Sequence, residues 1–190
     1  MKNIVFALIV ITVGMFTRSE TIYMMDKNHT KVVFVATHFG ISHVEGRFKT
    51  VTATLVSKKE DFTDADISMT AEVKSIDTDI DMRDNDLKSS SWFDADKYPL
   101  IVFKSTSFKM VSGKNYKMEG NISIHGITKA IVFDVTYNGK ALNPMTKKSS
   151  VGFTVTGKLN RNDFLVGTGG GNGVVSNEID LIGNVEFIVN

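Results

Sequence analysis

The sequence predicts an all-β protein, and three observations support this fold class. Apolar and polar residues alternate through most of the chain after Thr21, as they do in strands that bury one face. The alternating runs are short, and residues that favour turns separate them. A single sheet could not cover so many apolar faces, so we expect eight or nine antiparallel strands in a sandwich or a closed barrel.

The chain is expected to begin with a secretory signal peptide, residues 1–19, followed by one domain over residues 20–190. Lys2 precedes an apolar run from Ile4 to Phe16, which is shorter than the roughly 20 apolar residues that span a bilayer. We therefore expect a periplasmic or secreted protein with no stable membrane insertion once the signal is removed.

The strands are predicted from the two-residue period of each run. In the last run, from Ile179 to Val189, every second residue is apolar or glycine, whereas Asp180 and Glu186 fall on the opposite face. The same pattern, or a run of strand-forming residues, predicts strands in residues 22–26, 31–38, 47–56, 67–73, 101–110, 118–124, 131–137 and 150–160.

Tight connections are predicted where glycine follows a polar residue, because two-residue hairpins need positive φ. Three such pairs are Ser112-Gly113, His125-Gly126 and Asn138-Gly139. A further turn is expected at residues 40–42, before a strand that begins near Gly46.

One segment, residues 78–91, lacks the alternation and predicts a short helix. Thr78 is placed as an N-cap, and acidic residues fill the first turn, where the helix dipole favours them. This helix is expected to cross outside the barrel or over its mouth. The aromatic pair Trp92-Phe93 follows it.

The composition limits the classes of partner and chemistry. The 22 Lys and Arg nearly balance 21 Asp and Glu, which gives no reason to expect nucleic acid as a partner. The chain has no cysteine, so disulfides, thiolate metal sites and cysteine nucleophiles are excluded. Chemistry must therefore come from histidines, carboxylates, hydroxyls or a cavity.

An enzyme is the less favoured reading of the polar residues. A metal-dependent hydrolase would need ligands such as His38, His43 and His125 to converge on one ion. His38 and His43 are five apart, so an unbroken strand would point them to opposite faces. No serine nucleophile motif is present either. We therefore predict no catalytic residues, no metal and no cofactor.

The barrel interior is the remaining candidate site. Eight closed strands leave a lumen that is either packed or wide enough for one small ligand. The 13 Phe and 9 Met suit an adaptable apolar cavity, but they could equally fill a core and make the protein a structural or interaction domain.

Four segments, in order, resemble the YceI-like proteins, a lipocalin-like family that binds polyisoprenoid lipids. The first is YMMDKNHTKVVFVATHFGISHVEGRF from Tyr23, and the second is KSIDTDIDMRDNDLKSSSWFDADKYPLIVFKSTSF from Lys74. The third and fourth are GNISIHGITKAIVFDV from Gly120 and KLNRNDF from Lys158. Together they cover nearly all of the chain after the signal. The sequence departs from the family at Asn121-Ile122-Ser123 and in the glycine-rich run after Phe164.

The resemblance implies an extended, lipocalin-like, eight-stranded antiparallel barrel with one or two short helices. It also implies export to the periplasm, frequent dimerisation, and a long isoprenoid-type lipid, such as a quinone or polyprenyl chain, as an amphiphilic ligand. The protein is then expected to carry or store that lipid rather than to catalyse a reaction.

Apolar and polar residues of such a site can be predicted. The cavity wall is expected to include Phe34, Phe48, Ile76, Leu87, Phe93, Phe103, Phe133 and Phe153. A polar group at the mouth is expected to include His38, Arg83 and Arg161, with Asp77 and Asp84 orienting the arginines. The arginines could instead form salt bridges across the helix and the barrel end. His43 is expected to be structural.

Overall fold

The computed structural model describes residues 19–169 and 173–190. Except for Ser19, the predicted signal peptide lies outside these described residues. Within them, the chain forms eleven strand segments and one α-helix, α1, at Asp81–Lys88. The strands are Thr21–Met25 (β1), Lys31–His38 (β2), Ser42–Phe48 (β3), Val51–Ser57 (β4), Asp66–Glu72 (β5), Ile76–Asp77 (β6), Leu100–Ser112 (β7), Asn115–Ile124 (β8), Ile127–Leu142 (β9), Ser149–Asn160 (β10) and Val175–Val189 (β11). Single turns of 3-10 helix occupy Val73–Ser75 and Arg161–Phe164.

The strands form one antiparallel sheet that closes on itself. The order is β1, β4, β5, β7, β8, β9, β10, β11, and β11 pairs again with β1, where Tyr23 lies opposite Val189. The other three segments extend this sheet: β2 continues along β11, β3 pairs with β2, and β6 pairs with β3. Three of the eight strand positions are therefore broken into two segments. The predicted all-β fold and eight-stranded antiparallel barrel are confirmed.

The prediction of a hairpin turn at Asn138-Gly139 is wrong, because this pair forms a bulge within the long strand β9. The register against β10 shifts at this point, because Gly152 pairs with Gly139 whereas Phe153 pairs with Tyr137. Asn138 is the extra residue, and Gly139 has a φ of 140°. The hairpin itself falls at residues 143–148. The other two predicted connections, Ser112-Gly113 and His125-Gly126, are tight turns.

The strand predicted over residues 47–56 is split. Its first two residues belong to β3, which already begins at Ser42, and residues 51–56 belong to β4. Gly46 therefore lies inside β3, and the turn comes one residue early, at residues 39–41. The break falls at Lys49 and Thr50, which hydrogen-bond the 3-10 segment: the Lys49 N–H donates to Ser75 O, and Thr50 O accepts from the Glu72 N–H. The sheet bends where these two bonds replace the regular ladder.

The helix begins later than predicted, and its N-cap is Ile80 rather than Thr78. Asp79 between them has a φ of 64°, which turns the chain before the helix starts. Thr78 is held differently: its N–H and its hydroxyl both donate to the Asp84 carboxylate, at 2.8 and 2.5 Å. No helix among the described residues has the length and apolarity that crossing a membrane requires.

The two ends of the barrel are built differently. The end near the β7–β8 and β9–β10 hairpins, called the closed end, is filled by Phe62 from the β4–β5 connection, with Tyr23, Tyr137 and Phe153 around its ring. The other end, called the helix end, carries α1, the segment 89–99 and the β10–β11 connection.

Candidate functional site

An apolar cavity of about 230 Å³ occupies the barrel interior. It runs from Phe108, Phe153 and Phe187 beside the closed end to Trp92 and Val166 at the helix end. A void of this size far exceeds the roughly 10–15 Å³ that holds one water, and apolar cavities of roughly 150 Å³ stay dry and bind benzene-sized molecules. The interior is therefore suited to an apolar ligand.

Seven of the eight residues predicted for the wall line this cavity. They are Phe34, Phe48, Leu87, Phe93, Phe103, Phe133 and Phe153. The eighth, Ile76, is buried in β6 opposite Phe48 and does not line the cavity. As direct partners in the β3–β6 ladder, Ile76 and Phe48 lie on the same face of the sheet.

The cavity is also lined by residues that were not among those predicted for the wall, although the sequence pattern identifies most of them. Met69, Met118, Leu181 and Val185 line the cavity and share the alternating apolar faces that predict their strands. Trp92 also lines it, although only its neighbour Phe93 was selected from the aromatic pair. Strand parity would have found the first four, whereas Trp92 depends on how the segment after α1 folds back.

A row of three aromatic rings forms the part of the cavity wall near α1. Phe34 lies 5.8 Å from Phe48, and Phe48 lies 6.0 Å from Phe93, measured between ring centroids. All three rings are only half-buried. Gly46 permits this arrangement, because a Cβ there would overlap the Phe34 ring. These three side chains therefore form one continuous aromatic part of the cavity wall.

Arg161 is the one ionisable residue among the described cavity-lining residues. Its guanidinium is buried and donates to Val166 O at 2.8 Å, Ser176 O at 3.0 Å, Val175 O at 3.2 Å and Asn177 Oδ1 at 3.0 Å. Burial lowers the pKa of Arg161, although a guanidinium stays protonated in proteins. These bonds tie the two ends of the β10–β11 connection together.

Arg161 also supports Trp92. The guanidinium carbon lies 5.6 Å from the Trp92 ring centroid, which is within reach of a cation–π contact. On another side, Gly167 lies so close to the Trp92 ring that a Cβ would overlap it. Trp92 is therefore clamped at the helix end of the cavity.

The other predicted polar residues lie off the cavity. Arg83 donates to the Thr78 hydroxyl at 2.8 Å and to Thr78 O at 2.5 Å. Asp84 binds the same threonine, so it orients Arg83 only through Thr78. Asp77 was expected to orient an arginine of the mouth, but it binds Arg47 instead.

The Asp77 carboxylate holds two cations on the outside of the barrel. It accepts from Arg47 Nη2 at 2.9 Å and lies 3.1 Å from Lys49 Nζ. The hydrogen bond from Arg47 and then that from Lys49 lower the pKa of Asp77. This pairing follows from β6, which sets Asp77 directly opposite Arg47 across the β3–β6 ladder.

The three histidines considered for a metal site have separate partners. The His38 ring contacts the Phe39 ring in a tilted arrangement, with the centroids 4.2 Å apart. The Nδ1 atom of His43 lies 3.3 Å from Thr37 Oγ1. His125 Nδ1 lies 3.0 Å from Phe164 O, so this nitrogen carries the proton. Among the described residues, the side chains close enough to share an ion are instead Asp26, His29 and Glu186.

Comparisons with known proteins agree with this architecture. The YceI-like domain matches residues 23–187. Protein YceI of Salmonella agona (strain SL483) is 31% identical over 185 residues, which cover 96% of this chain and 94% of that protein.

Two solved structures share the fold. BcnA from Burkholderia cenocepacia superposes with a TM-score of 0.77 at 23% identity, over 85% of this chain and 98% of that one. A polyisoprenoid binding domain from Saccharophagus degradans gives a TM-score of 0.67 at 12% identity, over 88% of this chain and 98% of that one. At these identities, both matches describe the fold alone.

Proposed function

Because the chain belongs to the YceI-like family, we propose that it binds an isoprenoid-type lipid inside the barrel and carries or stores it. The observation that carries this proposal is the cavity, whose described lining is apolar except for Arg161. The polyisoprenoid binding domain of similar fold supports the same class of ligand. A bound lipid, rather than a cofactor, is the molecule that this interior suits.

The affinity is expected to come from the lipid tail. Burial of apolar chain contributes roughly 0.8 kcal/mol per methylene, so several isoprene units are held without a strong polar contact. The flexible side chains of Met25, Met69 and Met118 line the cavity and adapt to a tail that changes shape. A quinone or polyprenyl chain meets these requirements.

The position of the head group is proposed at the helix end. The support is the buried guanidinium of Arg161, the one ionisable group among the described lining residues, which lies at this end of the cavity. Arg161 would face a head group that enters far enough, whereas His38 and Arg83 would meet it only outside the cavity. Recognition by the arginines is a weaker contribution than the tail, since Arg161 already binds four protein oxygens.

We further propose that the protein is exported and works in the periplasm or outside the cell. The support is the signal-like layout of residues 1–19 and the absence of cysteine. Binding rather than catalysis is the role that the apolar lining favours, because none of the histidines lines the cavity.

The proposal is tested by native mass spectrometry and organic extraction of the purified protein, before and after it is offered a polyprenol or a quinone in detergent. The matched variants are Ala36→Phe, which places a ring in the cavity, and Ala130→Phe, which places the same ring on the outer surface of β9. We expect the wild type and Ala130→Phe to hold one lipid and Ala36→Phe to lose it. A wild type that carries no lipid and takes none up is not a carrier.

A further inference from the structure

Among the large apolar side chains exposed at the helix end of the barrel, three lie in the two turns next to residues that line the cavity. Phe39 and Ile41 lie in the β2–β3 turn, where 59% and 86% of their surfaces are exposed. Leu165 follows the 3-10 turn Arg161–Phe164 and is 56% exposed. Large apolar side chains exposed at one end of a molecule, beside a cavity, often mark a contact surface.

Two of these residues have a backbone conformation that is unfavourable for them. Phe39 has a φ of 50° and Leu165 a φ of 57°, in the left-handed region that favours glycine and asparagine. Phe39 and Gly40 occupy the two central positions of the turn, where Asn-Gly is the preferred pair. Phe62 has a similar φ of 57°, but burial of its ring at the closed end compensates for the strain. Phe39 contacts the His38 ring and Leu165 caps the 3-10 turn through its N–H, but both side chains remain more than half exposed.

Both turns border the cavity. Leu165 lies between Phe164 and Val166, which line it. The Phe39 N–H donates to Val174 O at 2.8 Å, and the next residue, Val175, is another lining residue. The exposed side chains therefore extend the apolar surface of the cavity wall to the outside of the barrel.

We propose that Phe39, Ile41 and Leu165 dock the helix end of the barrel on the surface of a lipid bilayer, so that lipid passes between the membrane and the cavity. This inference rests on the proposed function, because the bilayer is where such a ligand resides. Insertion of the three side chains would place the cavity rim against the acyl region and form a continuous apolar path. The contact is apolar, so it is expected to depend little on ionic strength.

The area of the patch favours a bilayer over a second copy of the chain. Large side chains bury roughly 150–250 Å² each, so three that are 56–86% exposed offer on the order of 400 Å². Stable protein interfaces bury about 1,200–2,000 Å². A bilayer needs no complementary surface and accepts three protruding side chains as they are.

The closed end provides a control. Met145 is 91% exposed in the β9–β10 hairpin, but it lies at the end that Phe62 fills and has an ordinary backbone conformation. An exposed apolar residue at that end does not border the cavity. Replacement of Met145 should therefore leave both membrane contact and lipid transfer unchanged.

The test compares Phe39→Asn, Leu165→Asn and the double variant with Met145→Ser in the full protein. Asparagine suits the left-handed conformation, so the first two variants should fold at least as well as the wild type. Phosphatidylcholine vesicles containing a fluorescent polyprenol report co-sedimentation and the rate of lipid uptake. The same polyprenol offered from cyclodextrin reports equilibrium binding without a membrane, and light scattering reports the oligomeric state.

We expect the double variant to take up lipid from vesicles at least about tenfold more slowly, because two apolar contacts are lost. Its binding from cyclodextrin and the behaviour of Met145→Ser should match the wild type. Equal vesicle uptake by all variants overturns the docking proposal and leaves the carrier function intact. A change of oligomeric state in the double variant also overturns it, because a second copy then covers the patch. Absence of binding from cyclodextrin in the wild type refutes the carrier function itself.

Discussion

The two ends of the barrel pack phenylalanine in different ways. At the closed end, Phe153 lies within 6.4 Å of four other aromatic rings, and its side chain is buried. At the helix end, Phe34, Phe48 and Phe93 form a single row beside a void, and each is half-buried. Phe153 also lines the cavity, so phenylalanine borders the void at both ends but is packed among more aromatic rings at the closed end.

This contrast shows how a barrel can hold both a core and a cavity. The aromatic cluster around Phe62 closes the sheet and provides much of the packing that the strands need. The same core continues to the helix end through Ala95, Phe164 and Val166, with Phe48 and Phe93 packed against it as partly buried side chains. Four sets of substitutions test this difference between the two ends of the barrel.

The largest effect is expected from truncation of the closed end. Phe153→Ala should lower the free energy of unfolding by about 3–5 kcal/mol, because it leaves a cavity among four rings. Phe93→Ala should cost about 1–2 kcal/mol, since its side chain is only half-buried, whereas that of Phe153 is buried. Urea unfolding of both variants measures the difference. Equal losses would mean that the two phenylalanines are packed equally tightly.

The next effect tests whether the helix end has a rigid element of its own. Arg161→Met should destabilise the protein by about 2–3 kcal/mol, because it leaves carbonyl groups of the β10–β11 connection unpaired. Arg161→Lys keeps the charge but cannot supply the same fork of donors, so it should recover only part of the loss. Hydrogen exchange should quicken at Val166 and at residues 174–176. Unchanged exchange would show that the connection is held by other contacts.

A smaller effect on stability is expected at Gly46, which lies against the Phe34 ring. Gly46→Ala adds a Cβ against the Phe34 ring, which must move, at a cost of about 1–3 kcal/mol. Combined with Phe34→Leu, the same alanine should cost less than the sum of the two single changes. A double-mutant cycle by thermal unfolding checks this coupling. If the two free-energy changes simply add, the alanine at position 46 does not act through the Phe34 ring.

The smallest effect concerns pH. Arg47 and Lys49 hold the pKa of Asp77 below its ordinary value, so this carboxylate stabilises the fold above the carboxyl pKa of the unfolded chain. That contribution is lost as the pH falls through the lowered pKa of Asp77. Asp77→Asn should therefore flatten the acid limb of the stability curve slightly and leave lipid binding unchanged. An identical acid limb in the variant would show that the pair contributes nothing measurable.

Local patterns predicted the strands well where one face is buried. The alternation in residues 179–189 correctly assigns Ile179, Leu181, Val185 and Phe187 to the cavity side of β11. Turn motifs were less dependable, since Asn138-Gly139 forms a bulge whereas His125-Gly126 forms a turn. A glycine permits positive φ in either setting, and only the length of the paired strands decides between them.

The amino-acid sequence alone specifies the period of each strand, the balance of apolar faces that requires a closed sheet, and the family to which the chain belongs. The tertiary structure specifies how tightly each phenylalanine of the cavity wall is packed, because that depends on which strands meet in space. It also decided that Asp77 pairs with Arg47 across β3 and β6, and that Arg161 turns inward to hold a loop. These contacts join residues far apart in the chain, and no local pattern specifies them.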